Sequence, residues 1–239
     1  LPPLPPPAIQ RGGAFPLLGA FVGTDADAVR IAIIGKIRKM LEQARRAIHN
    51  EHLSAQLAVF LLRTCVTPQP CYLARTSAPA VFGAASAEWD NGLSTMFAYA
   101  LRSPDLTNGT SRTAYLQATL PVRHGGLAIG QPAWTAPLAF LASGLAALSA
   151  AAYPTDRVLP PPRHRPVAIP FITGLGDAYA RIRGNAFTEA FPGPDQVDAV
   201  LGLARRGALP ARLQAHLTTA FVDDQLLQLR NRLGRVPPG

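Results

Sequence analysis

Apolar positions recur along most of this chain with the period of a helix. Ile33, Ile37, Met40, Leu41, Ala44 and Ile48 fall at three- and four-residue intervals, which puts them on one helical face. Thr24 reads as the N-cap, with Asp25 and Asp27 in the first turn and Thr24-x-x-Asp27 as a capping box. The opposite arc carries Lys36, Lys39, Arg45 and Arg46, with Arg38 beside them. A second helix is expected from about Leu53 to Cys65, capped near Asn50. Its buried stripe is Leu53, Leu57, Phe60 and Leu61, and Pro68 and Pro70 end it. A third spans roughly Ala84 to Leu101, with Trp89, Leu93, Met96, Phe97 and Ala100 inward and Pro104 as the stop. Residues 111–118 read as a short helix.

The stretch Leu120–Gly130 is the least helical and reads as a strand or hairpin-like turn. An apolar helix follows over 132–150. Residues 125–155 carry no charge, so this helix needs a membrane check. Alanine dominates it, and Thr135, Pro137, Ser143, Gly144 and Ser149 dilute it. A buried core helix is expected rather than membrane insertion. Residues 154–170 hold six prolines and Arg157, Arg163, His164 and Arg165, the composition of an extended basic linker. Beyond it, helices are expected near 176–191, 195–206 and 210–233. Asp195 and Pro210 act as starts and Gly207 and Gly234 as stops. The organisation expected is a Pro-rich arm over 1–16, a larger helical part over 17–153, the linker over 154–170 and a smaller helical part over 171–239. The fold class is mainly α, a multi-helix bundle with one short β or turn segment.

Composition changes the picture in one direction. Only 15% of the 239 residues are charged, yet the formal net charge is +9. Nearly all of the cations are arginine, with Lys36 and Lys39 the lysines. Arginine forks bind phosphate bidentately and stack on bases. GC-rich coding raises Arg, Ala, Pro and Gly together, but it does not account for the shortage of Asp and Glu. Two cysteines, Cys65 and Cys71, exclude a disulfide scaffold and a four-cysteine zinc site. No signal peptide is visible, and the chain starts without Met at LPPLPPP. It reads as a processed chain or as part of a longer one.

Several strings invite a catalytic reading, and each has a plainer one. Phe221-Val222-Asp223-Asp224 fits the aromatic-x-Asp-Asp pattern whose paired carboxylates hold Mg²⁺ for phosphoryl transfer. That chemistry needs a β-hairpin and a third Asp, whereas Leu213, Leu217, Ala220 and Phe221 share one helical face and Leu226, Leu229 and Leu233 another. An Asp capping a new helix at a kink is expected instead. Cys65, Cys71, His49 and His52 match no zinc spacing, and Cys65 is expected to be a small core residue. His124 beside Gly125-Gly126 lacks triad partners. Gly174-Leu175-Gly176 has no preceding βαβ unit, so it makes no dinucleotide fingerprint. No cofactor, metal site or catalytic residue is expected.

The basic groups carry more weight together. Residues 29–49 hold six Lys/Arg and one acid, Glu42. Further clusters are the linker arginines, Arg181 and Arg183, then Arg205, Arg206 and Arg212, and finally Arg230, Arg232 and Arg235. A phosphate backbone is the natural partner. Ordered arrays of stacking aromatics are absent, so sequence-specific single-strand readout is not indicated.

Four segments together resemble one family. Phe15-Pro-Leu-Leu-Gly19-Ala-Phe-Val-Gly23 is similar to the segment just after the palm in reverse transcriptases of non-LTR retroelements. Leu61-Leu-Arg63-Thr-Cys65, followed by Cys71-Tyr-Leu-Ala-Arg75-Thr76, resembles the helix and turn that come next. Leu120-Pro-Val-Arg123-His-Gly125-Gly126-Leu127 resembles the family's "LP-x-R-x-GGLGL" segment, and Ala136–Leu148 its "A-x-FLAS-x-x-AL" helix. The segments keep family order over residues 15 to about 150. The family's fingers and palm, with their metal-binding aspartates, are not in this chain, and Phe221-Val-Asp-Asp lies downstream of where they belong. The resemblance therefore implies a thumb-like module that grips template and product, without polymerase activity.

The expectation is a non-catalytic RNA-binding or scaffolding module inside a larger ribonucleoprotein such as an organellar ribosome. Its partners would be structured RNA, ribosomal or other, and neighbouring protein subunits. A mitochondrial location is expected ahead of a nuclear or cytoplasmic one. The alternatives are the C-terminal part of an active retroelement RNA-directed DNA polymerase and a structural protein-binding subunit. The candidate nucleic-acid contacts are Lys36, Arg38, Lys39, Arg45, Arg46, Arg63, Arg75, Arg123, Arg163, Arg165, Arg205 and Arg206.

Overall fold

The computed structural model describes residues 13–103, 112–152, 169–183 and 213–233. Within them the protein is mainly α-helical with one two-stranded antiparallel sheet. The expected linker up to residue 168, the helix over 195–206 and most of the Pro-rich arm lie outside the described residues.

The sheet is the first departure from expectation. Residues through 16 read as an arm, yet β1 (Ala14–Leu17) pairs with β2 (Ala20–Gly23), Phe15 facing Val22 and Leu17 facing Ala20. The two-residue turn between them takes Leu18 to φ 49° and Gly19 to φ 88°. Both values are positive, as in the turn whose twist matches that of paired strands. Ala14 and Phe21 pack on the core, while Phe15, Leu17 and Val22 face outwards.

Helix α1 (Ala26–Ile48) starts one residue later than read. Asp25, not Thr24, is the cap: its carboxylate accepts the Asp27 and Ala28 amides at 2.9 and 3.3 Å. Asp25 has the extended backbone a cap requires, and its charge suits the positive end of the helix. The inward stripe is Val29, Ile33, Ile37, Leu41, Ala44 and Ile48, with Met40 only half-buried at its border.

Helix α2 (Ala55–Leu61) is capped by Ser54, whose hydroxyl accepts the Leu57 amide at 3.3 Å. Asn50 serves the turn before it, accepting the His52 amide. After Leu61 the chain takes a π-helical turn over Leu62–Val66, closed by the Thr67 amide on the Leu62 carbonyl. Ala58, Leu62 and Val66 are buried, whereas Leu57 and Phe60 are 46% and 58% exposed. This corrects the expected stripe. The segment is apolar on two adjacent faces, and the one carrying Ala58, Leu62 and Val66 turns inward. Cys65, expected in the core, stands exposed on the π turn, as does Cys71 at the start of α3 (Cys71–Thr76).

Helix α4 (Pro79–Ala100) begins five residues before the expected start, with Pro79 in its first turn, where proline fits a helix. Its stripe of Trp89, Leu93, Met96, Phe97 and Ala100 is buried as expected. Helices α1 and α4 run parallel: Arg38 reaches Glu88, Leu41 lies against Gly92, and His49 stacks on Tyr99. Helix α5 (Arg112–Thr119) matches the short helix read there. The stretch after it is a turn without a strand. A 3₁₀ turn spans Val122–His124, Gly125 takes φ 78°, and the Leu127 and Ala128 amides fold back onto the Ala118 and Leu120 carbonyls. At Gly126 a Cβ would lie 2.0 Å from the Leu120 carbonyl oxygen, so only glycine permits this reversal.

Helix α6 (Pro132–Ala152) joins two apolar clusters. Ala136 and Ala139 belong to the core built on α1 and α4. Leu138, Phe140, Leu141, Ala142 and Leu145 pack with Leu175, Ala178 and Ile182 of α7 (Ile169–Arg183) and Leu217 of α8 (Leu213–Leu233). Among the described residues, α6 alone is long and apolar enough to cross a membrane, and half of that stretch is buried inside the protein.

Helix α7 starts at Ile169, not 176, so Gly174-Leu175-Gly176 lies within a helix. A Cβ on Gly174 would meet Ala78 and Phe140 at 3.0 and 3.3 Å; the glycine serves close packing. Helix α8 runs unbroken through Asp223-Asp224, so neither residue starts a new helix at a kink. Consecutive residues on a helix diverge by roughly 100°. The Asp pair is not presented on a hairpin, and Asp223 is exposed.

Candidate nucleic-acid interface

Six cations lie along α1, and the fold gives them different tasks. Lys36 sits at the border of the buried stripe. Its Nζ donates to the Gly19 carbonyl at 2.7 Å and lies 5.7 Å from the centre of the Phe21 ring, fastening the hairpin to the helix. Arg38 reaches across to α4 and makes a two-pronged bond to Glu88, at 2.7 and 3.2 Å. That hydrogen bond, with the adjacent charge, raises the already high pKa of the guanidinium. Arg30 pairs with Asp27 one turn back.

The solvent side of the helix differs. Arg46 and Arg45 share one carboxylate, Glu42, at 3.0 and 3.6 Å. Lys39 is exposed and has no ion-pair partner among the described residues. Lys39 and Arg46 lie seven residues apart, two helical turns, on the side away from the apolar stripe. Arg45 stands nearer its edge. The expected arc is thus narrower than read: Lys36 and Arg38 hold neighbouring elements, while Lys39, Arg45 and Arg46 face water with one acid between them.

The remaining candidates are scattered over other elements. Arg63 is exposed on the π turn, and Arg75 is exposed on α3. The Arg75 charge works against the burial that pushes the Cys71 thiol pKa up. Arg123 sits in the 3₁₀ turn, where its Nε donates to His124 Nε2 at 3.0 Å. Arg163, Arg165, Arg205 and Arg206 lie outside the described residues.

Two features were not read from the sequence. His49 and Tyr99 stack nearly parallel, ring centres 3.9 Å apart. Partial burial, then the Arg45 charge, lower the His49 pKa, so the ring is neutral at physiological pH. The other is Asp90, at the foot of α6. Its Oδ2 accepts the Ala133 amide at 3.1 Å, while Oδ1 is buried with no hydrogen-bond partner among the described residues. Burial pushes this carboxyl up to about 7 against the opposing pull of the Ala133 bond. The Tyr115 hydroxyl is raised too, by burial first and then by the Asp90 charge.

Among the described residues, no three of His, Cys, Asp or Glu come together as a metal site. No protein family, curated protein or solved structure matches this chain.

Proposed function

We infer that this chain is a basic, non-catalytic RNA-binding module, related to the thumb region of non-LTR reverse transcriptases. It acts within a larger ribonucleoprotein such as an organellar ribosome. The observation that carries this reading is α1: its apolar stripe is consumed by packing, and Lys39, Arg45 and Arg46 remain on the water side of a chain with net charge +9. Such cations, two helical turns apart on one side of the helix, can follow a phosphate backbone. The four ordered segments support the thumb relationship.

The test is filter binding of the whole chain to a structured RNA hairpin over a series of salt concentrations. Affinity should fall steeply with salt, with a log–log slope of about −0.9 for each duplex phosphate neutralised. Absence of binding at about 0.1 M salt, where charges still act over roughly 10 Å, would overturn the reading.

A further inference from the structure

Because α1 and α4 run parallel, their carboxy-terminal ends emerge side by side, at Ile48 and Ala100. Each helix end carries about half a negative charge. A cleft of about 560 Å³ opens between them, with Ala58 and Ala98 in its apolar wall and Asn50, Glu51, Tyr99 and Arg102 among its other lining residues. That size suits a small flat ligand.

Two details equip this cleft. Tyr99 has one ring face covered by His49 and still remains 43% exposed, so the pair makes a fixed aromatic slab beside the opening. Arg102 takes φ 52° just past the end of α4. Its amide donates to the Tyr99 carbonyl and that of Ser103 to the Ala98 carbonyl, both at 2.9 Å. Helix ends of this kind favour glycine. The residue held there against its backbone preference, Arg102, lines the cleft.

We propose that this cleft binds an unpaired guanine base of RNA, stacked on Tyr99 and read through Glu51, with Arg102 toward the adjoining phosphate. This rests on the RNA-binding reading above. The Glu51 carboxylate is the acidic group in the lining, so the base edge that meets it must donate. Guanine carries two adjacent donors, N1–H and the N2 amine, matched to the two oxygens of one carboxylate. Adenine and cytosine set a single amine beside an acceptor nitrogen, and uracil has one N–H between two carbonyls. Stacking on an aromatic side chain serves every base. The choice among bases therefore falls to Glu51.

The experiment measures binding of the full chain to one RNA stem-loop carrying guanine, inosine or adenine at a single unpaired position. Guanine should bind about tenfold tighter than adenine, the discrimination of one good two-bond contact. Inosine, which lacks the N2 amine, should fall between them. Glu51→Gln should cut the preference for guanine to under about threefold while leaving the salt slope unchanged. Tyr99→Leu should weaken all three RNAs by about tenfold, as loss of a stacking platform does. Equal binding of guanine and adenine loops, or a preference that survives Glu51→Gln, overturns the proposal while leaving general RNA binding in place. If no stem-loop is bound at all, the RNA-binding reading itself fails and this proposal falls with it. Glu51 is an exposed surface residue, so the Glu51→Gln arm stands even if the Tyr99 variant does not fold.

Discussion

Replacing Asp90 with Asn should stabilise the protein at pH 8. The carboxyl sits between α4 and the start of α6 and is pushed from 3.8 up to about 7, chiefly by burial. In the unfolded chain an Asp titrates near 4. The folded state therefore keeps a proton that the unfolded state gives up across that window. The stability linked to this group is fully present below about pH 4 and is lost as pH rises to about 7. Three units at about 1.36 kcal/mol each set an upper bound of roughly 4 kcal/mol. The carboxyl is half-buried rather than enclosed, and water screening leaves roughly 2–3 kcal/mol expected. Asn keeps an oxygen for the Ala133 amide and cannot ionise. In a chain of this size the gain corresponds to a rise in Tm of roughly 4–12 °C. Thermal melts of both proteins by circular dichroism, at pH 5, 6, 7 and 8 and fixed ionic strength, read it directly. The gap should already be open at pH 5, which lies above the unfolded pKa, and should widen to its maximum at pH 8. Taking the difference cancels the general self-repulsion of a cationic chain. A variant that melts lower than wild type at pH 8, or a gap that does not change with pH, refutes the reasoning.

Leu18→Asn should raise stability by about 0.5–1 kcal/mol, because Leu18 holds φ 49° while 88% exposed, and Asn tolerates that conformation at little cost; chemical denaturation checks it. Leu141→Arg should leave the protein unfolded or insoluble, since this side chain is 3% exposed in the cluster joining α6 to α7 and α8, and an unpaired buried charge costs several kcal/mol. If wild type partitions into detergent and Leu141→Arg abolishes that partitioning, α6 is not a core helix.

Long periodic segments were the legible part of this sequence. The stripes of α1 and α4 repeat over five or more turns, so an error of one residue at an end leaves the buried face unchanged. Short elements with unusual chemistry were not legible. The hairpin at 14–23 lies at the end of a Pro-rich run and turns on Leu18-Gly19, without the Asn-Gly pair that marks such turns. The face of α2 is ambiguous in the sequence because two adjacent faces are apolar: Leu57 and Phe60 stand on the one that stays exposed, and Ala58, Leu62 and Val66 on the one that is buried. Periodicity alone does not choose between them; packing against the rest of the fold does. The helix expected from about 176 begins at Ile169, and only the neighbours Ala78 and Phe140 explain the glycine at 174 inside it.

The site follows the same division. Charge along α1 was visible, but the sequence counts every cation alike. Glu88 lies 50 residues from Arg38 and Gly19 lies 17 from Lys36, so no local pattern shows that these two cations hold other elements. The His49–Tyr99 stack joins two helices for the same reason, and nothing near either residue marks it. What separates Lys39 and Arg46 from the rest is that, among the described residues, no other element packs over their face, which only the fold shows.

The central claim is that this face grips RNA, and a salt titration of charge-reversed chains tests it most directly. The whole chain carrying Lys39→Glu and Arg46→Glu is compared with wild type and with Arg163→Glu/Arg165→Glu in filter binding to the same RNA hairpin. Reversal on α1 should weaken binding at about 0.1 M salt and make the log–log salt slope shallower by about 1–2, with the thermal melt within roughly ±0.5 kcal/mol of wild type. An unchanged slope and affinity in the α1 variant, with its melt also unchanged, contradicts the account, the more so if the linker variant shows the loss.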